Sequence, residues 1–121
     1  MPNRQTVEAF VALVQVGDYV GAIEHFYAPD ASTRENTGEP VVGRDVLMAK
    51  ERGFMARFKK IEASHIGPVL IDGDTVTARW KFIFTGADGS SRSLVELAWQ
   101  TWRDDKLIEE RFFYDPRQMA S

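Results

Sequence analysis

Residues 61–85 read IEASHIGPVLIDGDTVTARWKFIFT, two stretches rich in β-branched and aromatic residues that are joined by Asp72-Gly73. Asp-Gly is a favoured pair for the tight turn of a β-hairpin, so we predict two antiparallel strands, Ile61 to Ile71 and Thr75 to Thr85. Pro68 cannot donate a hydrogen bond to a neighbouring strand. Its presence therefore predicts a sheet edge or a bulge within the first strand.

The residues after this hairpin continue the same pattern. The turn Gly86-Ala87-Asp88-Gly89 precedes a third predicted strand, Ser91 to Trp102, and Asp104-Asp105 precedes a fourth, Leu107 to Tyr114. Strands that follow one another through short turns usually pair with each other. The second half of the chain therefore predicts an antiparallel meander.

The residues before position 61 have the period of helices. Apolar side chains recur at the i, i+3, i+4, i+7 spacing of one helix face, at Val7, Phe10, Val11 and Val14. We predict that Gly17 ends this helix and that Asp18 caps a second, shorter helix, which Pro29-Asp30 closes. A third helix is predicted from Gly43-Arg44-Asp45 to about Phe58, after a short extended stretch from Ala31 to Asn36. Helices followed by a meander indicate an α+β fold with the helices on one face of a curved sheet.

Length and composition restrict the class of protein. The 121 residues are enough for one domain, 1–121, and too few for two. A net charge of −3 without a basic cluster disfavours nucleic-acid binding. The chain has no cysteine and no run of 18 apolar residues, which excludes disulfides and predicts no membrane contact. The residues Met1 to Gln5 show no signal-peptide pattern, so a cytoplasmic protein is expected.

Three segments together resemble one known superfamily. They are FVALVQVGD at residues 10–18, FYAPDA at 26–31 followed by Gly43-Arg44-Asp45, and KLIEERFFYD at 106–115. In order and spacing they are similar to the SnoaL-like polyketide cyclase branch of the NTF2-like superfamily, with ketosteroid isomerase and limonene-epoxide hydrolase as distant relatives. The resemblance implies a cystatin-like cone of three N-terminal helices packed on a curved antiparallel β-sheet. It does not by itself imply one function, because this fold hosts many.

The catalytic positions of these relatives are only partly kept. In ketosteroid isomerase the general base corresponds to Glu35, but the two residues that stabilise the enolate oxygen correspond to Phe10 and Ala98. Losing one such donor typically slows catalysis about 100- to 1000-fold, which argues against that mechanism.

The other two relatives agree less well with the chain. Of the five positions used by limonene-epoxide hydrolase, the resemblance keeps only Arg79, and the two aspartates correspond to Lys81 and Phe112. The acid/base carboxylate of the cyclases also corresponds to Phe112, and Glu110 is its nearest substitute on the same strand face.

Alternation along the strands sorts their side chains into two sets. The resemblance places one set toward an internal pocket: Arg79, Lys81, Ile83, Leu94, Glu96, Ala98, Gln100, Trp102, Glu110, Phe112 and Tyr114. The other set would form an apolar outer face on which two subunits pack as a homodimer: Trp80, Phe82, Phe84, Val95, Leu97, Trp99, Arg111 and Phe113. The alternative exchanges the two faces, with the aromatic set beneath the helices and the charged set in water.

These assignments define a candidate site. Glu35 and Glu110 are the predicted catalytic residues, and the predicted substrate contacts are Phe10, Arg79, Lys81, Glu96, Phe112 and Tyr114. The leading hypothesis is cofactor-independent acid/base chemistry, as an isomerase, cyclase or lyase, on a small, largely apolar polycyclic or aromatic compound. The alternative is a non-catalytic dimeric binding or accessory module, in which the charged side chains only pair with one another. His25 and His65 match no metal-site spacing, and no phosphate-binding loop or nucleophile elbow is present, so neither metal nor cofactor is predicted.

Overall fold

A computed structural model describes residues 1–119 and contains three α-helices, six strands and a terminal 3-10 turn. Two helices come first, α1 (Arg4–Gln15) and α2 (Tyr19–Phe26), followed by β1 (Tyr27–Glu35) and β2 (Val41–Val42). Then come α3 (Arg44–Met55) and the long strands β3 (Lys60–Asp72), β4 (Thr75–Thr85), β5 (Ser91–Arg103) and β6 (Lys106–Phe113). The 3-10 turn is Pro116–Met119.

The six strands form one sheet in the order β2-β1-β6-β5-β4-β3. The meander predicted for residues 61–114 is confirmed, since β3, β4, β5 and β6 pair antiparallel in sequence order. The α+β class is also confirmed, but two details of the predicted cone are corrected. The helices are not all N-terminal to the strands, because β1 and β2 separate α2 from α3, and the sheet is mixed, because β1 pairs parallel to β6.

The strand β1 extends the meander on one side. It pairs with β6, one of the two outer strands of the meander, whereas β3 stays at the opposite edge of the sheet. The extended stretch predicted from Ala31 to Asn36 is the second half of β1, and it pairs with Glu109 to Phe112 of β6. This edge position brings Thr33 and Glu35 next to the inner residues of the meander.

Local signals in the sequence set several boundaries. The side chain of Asn3 accepts a hydrogen bond from the amide of Gln5, and that of Asp18 accepts one from Gly21, so both residues cap the helices that follow them. Gly17 between these helices has φ +88°, a backbone conformation that glycine adopts without strain. The irregularity predicted at Pro68 is confirmed as a register shift between Ile66 and Leu70 in the edge strand β3.

The main core lies between the helices and one end of the sheet. Val7 and Phe10 of α1 pack with Trp102, Leu107 and other buried side chains. The ring centroid of Phe10 lies 5.9 Å from that of Trp102 in an edge-to-face arrangement. None of the helices within residues 1–119 has the length and apolar character needed to span a bilayer.

Candidate functional site

A cavity of about 430 Å³ lies between the helices and the inner face of the sheet. Aromatic side chains make up much of its wall: Phe10, Tyr19, Tyr27, Phe54, Trp80, Phe82, Phe84 and Phe112. Four carboxyl groups also line it, those of Glu35, Glu51, Glu96 and Glu110, together with the basic side chains of Lys50 and Arg57. A largely apolar cavity with a few polar groups at one place is the usual form of a small-molecule site.

The pairing of β4 with β5 corrects the predicted faces. Residues directly opposite each other on antiparallel strands share a face, and Trp80 lies opposite Glu96. The aromatic residues of β4 therefore line the cavity. Arg79 and Lys81, expected to point inward, lie opposite Leu97 and Val95 on the outer face and are exposed.

For β5 and β6 the inner set is the one that the sequence predicted. Ala98 lies opposite Phe112, and Gln100 lies opposite Glu110. Each of the two alternatives for the sheet faces is thus correct for part of the sheet. The aromatic residues of β4 lie beneath the helices, and the carboxyls of β5 and β6 lie there with them.

Glu110 is held at the base of the cavity by a buried hydrogen-bond network. Its side chain is 3% exposed. The Tyr27 hydroxyl donates to its Oε1, and Gln100 Nε2 donates to its Oε2 over 2.7 Å. Trp102 Nε1 in turn donates to Gln100 Oε1 over 2.9 Å, which orients the amide. Burial raises the pKa of Glu110 to about 7, although the two hydrogen bonds lower it in part.

Glu96 lies on the adjacent strand and has a different environment. Among residues 1–119 its carboxyl group has no hydrogen-bond or ion-pair partner, although it lines the cavity. Burial, followed by the charges of Glu110, Glu35 and Glu51, raises its pKa to about 8. The raised pKa favours the protonated form of Glu96 near neutral pH, and this group lines the cavity.

Glu35 lies at the mouth of the cavity, and its side chain is 54% exposed. Its Oε1 accepts a hydrogen bond of 3.0 Å from the Tyr114 hydroxyl, and Lys50 Nζ lies 3.9 Å from its Oε2. Burial and this hydrogen bond raise the pKa of Tyr114 to about 12. The carboxylate of Glu35 is thus paired with Lys50 and Tyr114.

The structure brings most of the predicted site residues together. Phe10, Glu35, Glu96, Glu110 and Phe112 line one cavity. Tyr114 contacts the site through Glu35, whereas Arg79 and Lys81 lie outside it.

Sequence reasoning missed the contribution of α3. Leu47, Lys50, Glu51 and Phe54 all line the cavity at the i, i+3, i+4, i+7 spacing of one helix face. Two charged residues inside an otherwise apolar stripe are the signal that could have identified them. Tyr19 and Tyr27 were not among the predicted site residues, although both line the cavity. Within residues 1–119 no three metal-ligating side chains converge, and His25 is exposed.

The raised carboxyl pKa values predict how stability depends on pH. Glu96 and Glu110 titrate near 8 and 7 in the folded state, against 4.5 in the unfolded chain, so the folded state binds more protons between these values. The free energy of unfolding is then highest near pH 4.5–5 and falls as pH rises to about 8, by up to about 1.4 kcal/mol per pH unit for each carboxyl.

Urea unfolding followed by fluorescence from pH 5 to pH 8.5 measures this slope. Glu96→Gln should make it shallower, whereas Glu109→Gln, on an exposed residue of β6, should leave it unchanged. A free energy of unfolding that stays flat or rises over this range would contradict the raised pKa values of these two carboxyls.

Comparison with known proteins agrees with this architecture. The model of the SnoaL-like domain family matches residues 7–110. A SnoaL-like protein from Mesorhizobium loti, provisionally a polyketide cyclase, is 26% identical, with a TM-score of 0.76 over 92% of this chain and 97% of its own. No curated protein matches the chain in sequence.

Two more distant structures share the fold. A protein from Jannaschia, also provisionally a SnoaL-like polyketide cyclase, is 17% identical with a TM-score of 0.80, over 96% of this chain and 89% of its own. AclR from Streptomyces galilaeus, provisionally a hydroxylase, is 17% identical with a TM-score of 0.76, over 96% and 90%. Since the family model covers most of the sequence and the fold agrees, this chain belongs to the SnoaL-like domain family.

Proposed function

We propose that the protein binds a small, largely apolar aromatic or polycyclic compound in this cavity and catalyses proton transfer on it without a cofactor. The observation that carries the proposal is that Glu96 and Glu110 bring two carboxyls with near-neutral pKa values into one aromatic-walled cavity. Groups that titrate near the working pH are the most effective general acids and bases. The volume of about 430 Å³ lies in the range of small-molecule sites.

The two carboxyls have different roles because their environments differ. Glu110 ionises at the lower pH and accepts two hydrogen bonds, so its carboxylate is the base. It removes a proton from a carbon next to a ligand carbonyl, and the electron pair moves onto the carbonyl oxygen. Glu96, still protonated, gives its proton to that oxygen and forms an enol. Return of a proton to a different carbon isomerises the ligand, and attack of the enol carbon on a second carbonyl closes a ring.

Glu35 is the second candidate for the base. It lines the mouth of the same cavity and is oriented by Tyr114, but Lys50 beside it stabilises its charge and water reaches it. Phe10 and Phe112 supply apolar wall. The family supports proton-transfer chemistry in general terms, since two of the similar structures are provisionally polyketide cyclases.

We also propose that two copies pack through the outer face of the sheet. Val95, Trp99 and Phe113 lie on that face and are 38%, 49% and 39% exposed. Isolated chains of this size seldom leave so many large apolar side chains of one sheet face in water. Arg111, whose guanidinium carbon lies 4.7 Å from the Phe113 ring centroid, covers part of this surface.

Hydrogen–deuterium exchange tests the catalytic proposal without knowledge of the natural substrate. The protein should accelerate exchange of the α-hydrogens of aromatic bicyclic ketones such as 2-tetralone in D₂O, measured by proton NMR. Because Glu110 must be ionised and Glu96 protonated, the rate should rise with pH toward about 7 and fall above about 8. Glu109→Gln is the matched control and should behave as the wild type does. Exchange no faster than in buffer across a panel of such ketones would favour the non-catalytic binding module.

A further inference from the structure

We propose that the ligand of this cavity carries a positive charge, as a protonated amine or quaternary ammonium group attached to an apolar body. This inference rests on the proposed function and names the class of compound on which it acts. It follows from three features of the cavity, which are its unpaired carboxyls, a buried hydroxyl without a partner, and the row of aromatic rings.

The cavity contains more acidic than basic groups. Four carboxyls line it, against the side chains of Lys50 and Arg57. The single ion pair among these lining residues joins Lys50 to Glu35 at the mouth, and the Arg57 guanidinium lies over the rings of Phe54 and Phe58, 5.7 and 5.8 Å from their centroids. Among residues 1–119, Glu51 and Glu96 therefore have no ion-pair or hydrogen-bond partner.

Glu51 and Glu96 are half-buried, and carboxyls withdrawn from water without partners favour a counter-charge or a proton. Removing a carboxylate from water completely costs several kcal/mol unless an opposite charge or hydrogen bonds replace the water, and partial removal costs less. In the protein alone Glu96 meets this requirement by keeping its proton, as its raised pKa shows. A cationic group in the cavity would pair with Glu51, the other lining carboxyl without a partner, while Glu96 keeps the proton that the proposed chemistry requires.

Tyr19 is an independent indication that a polar ligand group belongs here. Its side chain lines the cavity and is only 9% exposed, and its hydroxyl has no hydrogen-bond partner among residues 1–119. Burial, followed by the charge of Glu51, raises the pKa of Tyr19. A buried hydroxyl normally has a partner. The oxygen of Tyr19 is suited to accept a hydrogen bond from an ammonium group or to face its positive methyl groups.

The aromatic wall fits the same kind of ligand. Trp80, Phe82 and Phe84 project from alternate positions of β4, with successive ring centroids 5.9 and 6.1 Å apart and ring planes inclined by 24° and 16°. The faces of aromatic rings attract cations, with energies of about 0.5–2 kcal/mol depending on exposure to water. A ligand with an apolar body and an ammonium group would contact these rings while its charge neutralises the carboxyls.

The proposal predicts that binding of a cation releases protons. The titratable and charged groups that face the cavity come from all the elements around it: Tyr19 of α2, Tyr27 and Glu35 of β1, Lys50 and Glu51 of α3, Arg57 after it, Glu96 of β5 and Glu110 of β6, with Tyr114 beside Glu35. The carboxyls with raised pKa are protonated at low pH, so the affinity for a permanent cation should increase from pH 5.5 to pH 8.5.

Phenyltrimethylammonium and tert-butylbenzene provide a matched test, because they have the same shape and differ in charge. Calorimetric titration at pH 8.5 should show the cation binding at least about 10-fold more tightly, a difference of about 1.4 kcal/mol, although the hydrocarbon is the more hydrophobic molecule. At pH 5.5 this preference should be smaller. Glu51→Gln should weaken binding of the cation and leave that of tert-butylbenzene unchanged, and Glu109→Gln should affect neither. If Glu51→Gln does not fold, Tyr19→Phe replaces it, because it removes the hydroxyl that has no partner in the cavity.

Equal or tighter binding of tert-butylbenzene at pH 8.5 would overturn the inference, as would failure of both probes to bind. The proposed acid/base function is tested separately, since exchange on neutral ketones requires no cation preference. Catalysed exchange with no preference for the cation would refute the ligand class alone. A clear cation preference with no catalysed exchange would instead identify a binding protein for cationic compounds.

Discussion

Glu110→Gln is expected to slow exchange of ketone α-hydrogens about 100- to 10,000-fold, the usual contribution of a positioned general base. Glutamine has nearly the same shape and can still accept the hydrogen bond that Tyr27 donates to Glu110, but its amide nitrogen would face Gln100 Nε2, so the bond from Gln100 is lost. The cavity should keep its overall form, at some cost in stability, while it loses the group that accepts the proton. The quantity to measure is kcat/KM for exchange between pH 6 and pH 9, together with the free energy of unfolding, because a folded but inactive variant separates catalysis from stability.

Two further variants make this result specific. Glu109→Gln changes the same residue type on the same strand, but at an exposed position outside the cavity lining, and should exchange as fast as the wild type. Glu35→Gln removes the carboxylate at the mouth and should have the smaller effect, because the neighbouring Lys50 and water stabilise its charge. If Glu110→Gln retains wild-type rates while Glu35→Gln abolishes exchange, the base is Glu35, and Glu110 is a structural acid.

Trp102→Ala is expected to lower the free energy of unfolding by about 3–5 kcal/mol, the usual cost of truncating a fully buried aromatic residue. Trp102 is 1% exposed and packs against Phe10 and Leu107 in the main core. Its indole also donates to Gln100, which in turn donates to Glu110. The substitution would therefore leave a cavity in the core and remove the group that orients the amide. Since small domains are stable by only about 5–15 kcal/mol, much of the protein could unfold at physiological temperature.

Trp99→Ala is the matched control, because Trp99 lies on the same strand but on the opposite face and is 49% exposed. In a single subunit its loss should change the free energy of unfolding by no more than about 0.5 kcal/mol. If two subunits pack through this face, the same variant should lower stability in a manner that depends on protein concentration, and light scattering should show dissociation. A cost equal to that of Trp102→Ala at every concentration would contradict the assignment of Trp99 to the outer face.

The strands were the most predictable part of the fold, for a local physical reason. The turn predicted at Asp72-Gly73 lies one residue later, at Gly73-Asp74, because Asp72 pairs with Thr75. The predicted strand from Thr75 to Thr85 agrees with β4 at both ends. Helix starts were predictable because Asp18 caps the following turn with its own side chain. By contrast, β1 was underestimated, since the strand character of Tyr27 to Asp30 comes from pairing with a distant strand and not from its composition.

Part of the candidate site could be predicted from the sequence. Glu35, Glu96, Glu110, Phe10 and Phe112 were identified from strand alternation and family resemblance, and all line the cavity. The failure at Arg79 and Lys81 has a definite cause. Alternation shows which residues of β4 share a face, but it cannot show which of its faces continues the inner face of β5. That relation depends on the pairing register, and here even-numbered residues of β4 lie opposite even-numbered residues of β5.

The amino-acid sequence alone determined the helix caps, the antiparallel meander of β3 to β6 and the family, because these depend on residues close together in the chain. Only the tertiary structure decided which face of β4 lines the cavity, that β1 pairs parallel to β6, and that Glu110 is enclosed by Tyr27 and Gln100. Those features join residues far apart in sequence. Their energies come from burial and pairing that exist only when the whole sheet has formed, and the acid/base properties of Glu96 and Glu110 depend on the same burial.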